Sequence, residues 1–86
     1  MNVNDVEQIN SIKTREDLAR FVNKLSAEYK EAPGSWENGS LQAFLDALAA
    51  WIEDIDGYFQ NQNQPVPINP EWKTFGQMLA AARYYE

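Results

Sequence analysis

The stretch SLQAFLDALAAWIEDIDGYF, residues 40–59, decides the fold. Ser40 stands where a helix N-cap belongs, behind the turn-forming Glu37-Asn38-Gly39, because a serine hydroxyl accepts an otherwise unpaired N–H of the first turn. The apolar residues then recur at helical spacing. At about 100° per residue, Leu41, Phe44, Leu45, Leu48, Trp51, Ile52, Ile55 and Phe59 fill one arc of about 120°, with Gln42, Asp46, Glu53 and Gln60 opposite. Ala43, Ala47 and Ala50 add a small, uncharged strip. A helix with both an apolar arc and an alanine strip can accept two neighbours, so it is expected to be the central element.

Working outward, a helix is predicted to precede this one, with Thr14 as N-cap and Glu16 and Asp17 complementing the dipole of its first turn. Asp17 at the third position makes an imperfect capping box. Leu18, Phe21, Val22, Leu25 and Tyr29 form its apolar stripe, and Pro33-Gly34 ends it. On the other side, residues 60–68 lack either periodicity and alternate their prolines, which favours an extended or polyproline-like path. A third helix begins at Asn69 as cap with Pro70 at the first position, and Trp72, Phe75, Leu79 and Ala82 make its apolar face. Gly76 at the edge of that face permits close backbone approach. Val6, Ile9 and Ile12 fit either a short helix or extended chain packed across one end. The expectation is one all-α domain over residues 1–86: a three-helix bundle with helix two central and a short N-terminal segment docked at one end.

The composition narrows the function. A chain of 86 residues holds one core, and 44% hydrophobic with 13% aromatic residues suffices to build it. There is no Cys and no His, so thiolate nucleophiles, the commonest general base and the usual zinc ligands are all missing. No enzyme, cofactor or metal site is expected. Seven basic against thirteen acidic residues leave a net charge of −6, and between Lys30 and Lys73 stand seven acids and no base. Such a surface repels phosphate and anionic headgroups, which argues against nucleic acid and membrane as partners. The N-terminus has acids before its first base, unlike a signal peptide, and no apolar run approaches the roughly 20 residues of a membrane span. A cytoplasmic protein is expected.

Few residues stand apart from a plain core. Glu53-Asp54-Ile55-Asp56-Gly57 resembles the opening of a calcium loop, but counting from Asp54 the fifth position is Tyr58 and the twelfth Pro65, neither a required ligand. As a catalytic pair Asp54 and Asp56 fail too, since residues two apart on a helix diverge by about 200°. Asp54 nevertheless falls on the alanine strip, and Arg83 lies on the apolar side of the third helix, so a pairing of the two between helices is expected. Trp36, in a polar turn, is read first as a plug over the core and second as an anchor for a partner.

The order Trp36-x-Asn38-x-x-Leu41-x-x-Phe44-Leu45-x-Ala47, then Trp51-x-x-Asp54-x-Asp56-Gly57-Tyr58, then Pro65, Pro70-x-Trp72-x-x-Phe75 and Ala82-x-x-Tyr85-Glu86, resembles a family of small bacterial proteins known only as a domain of unknown function. The resemblance implies a free-standing domain in which Trp36, Asn38, Trp51, Asp54, Gly57 and Tyr58 recur together as one corner. It implies no reaction and no ligand.

Two functions are carried forward. The leading one is a small acidic protein-binding module, of the inhibitor or immunity type, that meets a basic protein through Asp46, Glu53 and Asp56, with Trp36, Asn38, Asp54 and Tyr58 as further candidate contacts. The alternative is a small-molecule or metal-assisted enzyme centred on Asp54, Asp56 and Tyr58.

Overall fold

The computed structural model describes residues 3–66 and 69–85, with side chains from residue 6 onward. Its regular structure is helical: α1 (Val3–Asn10), α2 (Arg15–Glu31), α3 (Leu41–Glu53), α4 (Ile55–Asn61) and α5 (Trp72–Ala82), with a 3-10 turn at Pro33–Ser35. Residues 3–10 are thus helical rather than extended, and the expected all-α class holds.

The helix ends follow from local chemistry. Thr14 Oγ1 accepts the Asp17 N–H at 3.1 Å while Asp17 Oδ2 accepts the Thr14 N–H at 3.3 Å, a reciprocal capping box that starts α2. The same carboxylate takes the Lys13 N–H at 3.0 Å, and these donors hold Asp17 below the ordinary carboxylate range. Ser40 Oγ accepts the Ala43 N–H at 3.1 Å and starts α3. The segment expected as a single helix over 40–59 is two helices joined at Asp54, whose φ of −97° and ψ of 12° put it in the bridge region. Its N–H still bonds the Ala50 carbonyl at 3.1 Å and its carbonyl receives the Tyr58 N–H at 3.3 Å, so α4 follows α3 directly.

Asn63 then ends α4. It adopts a left-handed φ of 55°, the Gln64 N–H reaches the Phe59 carbonyl at 2.9 Å, and the Asn63 N–H reaches Gln60 at 3.0 Å. That pair of bonds is a Schellman motif, with Asn in the position glycine usually takes. Gln60 and Asn61 are therefore helical rather than part of the extended path, and Pro67 and Ile68 lie outside the described residues. The last helix begins later than expected: Glu71, not Asn69, is its N-cap, and Thr74 Oγ1 accepts the Glu71 N–H at 3.2 Å.

The central helix is α5, not the one that begins at Ser40. α1, α2 and α3 each pack against α5, whereas α3 packs against α5 and α4. The physical reason lies in side-chain size. α5 presents Gly76, Ala80 and Ala82, all buried, so its backbone can be approached from several directions. A Cβ at Gly76 would stand 2.6 Å from Ile12 Cδ1 and 3.7 Å from the Phe21 ring, so the buried tip of Ile12 would have to move to admit one. The main cluster joins Ile9 and Ile12 with Phe21 and Leu25 of α2 and Ala80 of α5, and Leu18, Trp36 and Leu79 pack around it.

α3 is also turned differently from the expectation. Ala47 and Trp51 are its buried residues, while Leu41, Leu45 and Ile52 are 74%, 48% and 42% exposed. The alanine strip allows the backbones of α3 and α5 to come close, and Trp51 fills the space that remains. The leucine row is left on the edge facing water.

Candidate functional site: the outer face of α3 and its two ends

With its alanine strip inward, α3 carries two parallel rows on the outside. Leu41, Leu45 and Ile52 fall within about 40° of one another around the helix axis. Asp46 and Glu53 form a second row about 100° further round, with exposed Gln42 and Ala49 between the two. Gln42 Nε2 donates to Asp46 Oδ1 at 3.0 Å and helps hold that carboxylate upright. Asp56, also exposed, opens α4 and accepts the Gly57 N–H on Oδ1 at 2.9 Å. No Lys or Arg occurs in α3 or α4, so nothing on these helices neutralises the acids.

The remaining candidates hold the ends of α3. Asn38, just before α3, caps the end of α5: its N–H bonds the Arg83 carbonyl at 2.9 Å, and Nδ2 donates to the carbonyls of Ala82 at 2.9 Å and Tyr85 at 2.7 Å. Those of Ala82 and Arg83 are carbonyls that the end of α5 leaves unpaired, and that of Tyr85 lies just beyond it. At the far end, the Tyr85 hydroxyl donates to Asp54 Oδ2, and this acceptor pushes the Tyr85 pKa above its ordinary value. Tyr85 thus ties the start of α3 to its finish. The expected pairing of Asp54 with Arg83 is not what forms: Arg83, 1% exposed, donates to Glu28.

Trp36 is a plug. Its ring lies 5.0 Å from Tyr29 and 5.8 Å from Phe44, and Nε1 donates to Glu28 Oε1 at 2.8 Å. Tyr58 packs at 5.2 Å on both Trp51 and Phe59. The corner implied by the family pattern is therefore two clusters, Trp36 with Asn38 at the head of α3 and Trp51, Asp54 and Tyr58 at its foot, linked through Tyr85.

A cleft of about 650 Å³ opens between α1, α4 and α5, lined by Tyr58, Phe59, Thr74 and Gln77 among others. Gln77 Oε1 is buried there without a hydrogen-bond partner among the described residues. Of the three residues of the enzymatic alternative, Tyr58 lines this cleft and Asp54 and Asp56 do not. Among the described residues no group of acids is arranged to hold a metal ion, and no helix is long and apolar enough to cross a membrane.

The sequence patterns missed three groups: the exposed row Leu41, Leu45 and Ile52, the charge partner Glu28, and the bridging Tyr85. A signal for the first was present in the regular spacing of Ala43, Ala47 and Ala50. Nothing local marks the other two, whose bonds span distant parts of the chain.

Together these features describe a small all-helical domain with an acidic, partly apolar helix face turned to solvent. The chain belongs to a family of unknown function (DUF7660), whose model matches residues 14–86. No match was found among curated proteins or among solved structures.

Proposed function

We propose that this protein is a binding module that engages a basic protein through the outer face of α3, in the manner of an inhibitor or immunity protein that neutralises a basic toxin or nuclease. The observation that carries the reading is the exposed pair Asp46 and Glu53, two turns apart on one helix that bears no base. Unneutralised like charges on one face raise the encounter rate of an oppositely charged partner and reject a similarly charged one. Asp56, exposed in the first turn of α4, adds a third acid just past the end of α3. Trp36, Asn38, Asp54 and Tyr58 then act indirectly, by fixing the ends of the helix that presents it.

The same charge disfavours nucleic acid and anionic membranes, and a cysteine-free chain suits the bacterial cytoplasm. Catalysis is not part of this reading, since Asp54 and Asp56 lie outside the cleft that Tyr58 lines. The test is affinity capture from cells of the source organism, followed by mass spectrometry. A specific basic protein should be retained by the wild type, released as salt rises, and lost with the double variant Asp46→Lys/Glu53→Lys while helical circular dichroism is unchanged. Retention of the same protein at full strength by that folded variant would sink the proposal.

A further inference from the structure

Resting on that reading, we propose that the segment seated on α3 is an amphipathic helix with an apolar ridge and Lys or Arg along one flank. The first observation is the apolar row. Leu41, Leu45 and Ile52 span about 16 Å of α3 at 1.5 Å per residue and keep 74%, 48% and 42% of their surface in water. Scattered single leucines on a surface need no explanation, but three in line on one helix form a seam. Spacings of four and seven residues are those of a helix laid along another helix.

The second observation selects the occupant. Asp46 and Glu53 run beside the seam on one side, so any segment lying on the leucines places one of its own flanks against two carboxylates. A flank of Lys or Arg meets that requirement. A second copy of α3 does not, because it would bring its own Asp46 and Glu53 and no base to the same contact. An anionic bilayer is excluded by the same repulsion. The apolar row supplies the buried area, while the acids set orientation and reject acidic amphipathic helices.

The probe is a synthetic peptide matched in length to α3, with Leu at helical i, i+3, i+4, i+7 spacing, Lys along one flank and Gln elsewhere. Its controls are the same peptide with Glu in place of Lys, and one of identical composition in scrambled order. Amide chemical shifts of the labelled full chain are followed during titration. The Lys peptide should move signals along Leu41 to Glu53, and both controls should bind at least about tenfold more weakly. Leu45→Ser/Ile52→Ser should weaken the Lys peptide by about the same factor, with the helical spectrum kept; should that pair fail to fold, Leu41→Ser, at the most exposed position, serves instead.

Loss with Asp46→Lys/Glu53→Lys but not with the serine variants would overturn the amphipathic assignment and leave the acidic module standing. Binding of the Glu peptide as tightly as the Lys peptide, or no shift along α3 with either, would also overturn it. So would self-association in sedimentation that disappears in the serine variant, because a second copy would then own the seam.

Discussion

Arg83, 1% exposed, donates from Nη1 to Glu28 Oε1 at 2.7 Å and so joins residues 55 positions apart. Its Nε bonds the Ala80 carbonyl at 2.9 Å, and Trp36 Nε1 shares the same Glu28 oxygen. One carboxylate on α2 therefore receives both the charge at the end of α5 and the plug from the loop before α3. Removing it takes this acceptor from both the Arg83 guanidinium and the Trp36 indole, and losing a hydrogen bond to a charged group typically costs about 1.5 to 3 kcal/mol. Glu28→Ala should shift the urea midpoint sharply, whereas Glu28→Gln, which keeps an acceptor, should cost less. Equal midpoints for Glu28→Ala and wild type would remove this pair from the account of stability.

The core lies between α1, α2 and α5, which separates two leucine-type positions that look alike in the sequence. Leu25→Ala opens a cavity at a site only 5% exposed and should cost about 2 to 5 kcal/mol. Ile52→Ala, at 42% exposure, should stay within about 1 kcal/mol of wild type. Thermal or chemical denaturation of the two variants side by side checks the orientation of α3. A reversal of that order would mean the leucine row is buried after all.

Tyr85 should give the fold an alkaline weakness. Its pKa is raised because the neutral hydroxyl donates to Asp54, and a phenolate there would face a carboxylate. A raised pKa means that this contribution is complete below the unfolded value near 10 and is lost as pH climbs through the higher folded value. Wild type should therefore melt above Tyr85→Phe at pH 7, and the gap should close in strong alkali. A gap of constant size across that range would argue against the bond to Asp54.

Residues before the family match contribute to the core. Ile9 and Ile12 are 2% and 4% exposed, and fully burying such side chains is worth about 1.5 to 3 kcal/mol each. A chain lacking residues 1–13 should lose much of its cooperative melting, and Ile9→Ala with Ile12→Ala should reproduce most of that loss. Full stability of the shortened chain would show that α1 only rests on the surface.

The elements were legible in the sequence wherever a single local cause determined them. The Thr14 and Ser40 caps, the end of α2 at Pro33 and the close approach at Gly76 all follow from neighbours in sequence or from backbone geometry. The orientation of α3 was not legible, because its arc of large apolar residues and its alanine strip offered two possible inner faces. The choice belongs to α5, whose own small residues favour close contact over bulk. Arg83 likewise shows an apolar setting in sequence but not which of thirteen acids will meet it. Of the candidate site, the acidic row was visible from spacing alone, and the seam beside it became visible only with the inward face known.

The helix that α1, α2 and α3 lean on is also the one that leaves the ribosome after them. As synthesis proceeds from Val3 toward Tyr85, α1, α2 and α3 emerge before the surface on which each will settle, and Asn38 waits for three carbonyls in residues 82–85. The nascent chain thus has little to gain from folding early, and Phe21 and Leu25, buried in the finished fold, stay accessible to holding factors until residues 72–85 arrive. Maturation should be abrupt rather than stepwise, with α1, α2 and α3 docking on the same late event.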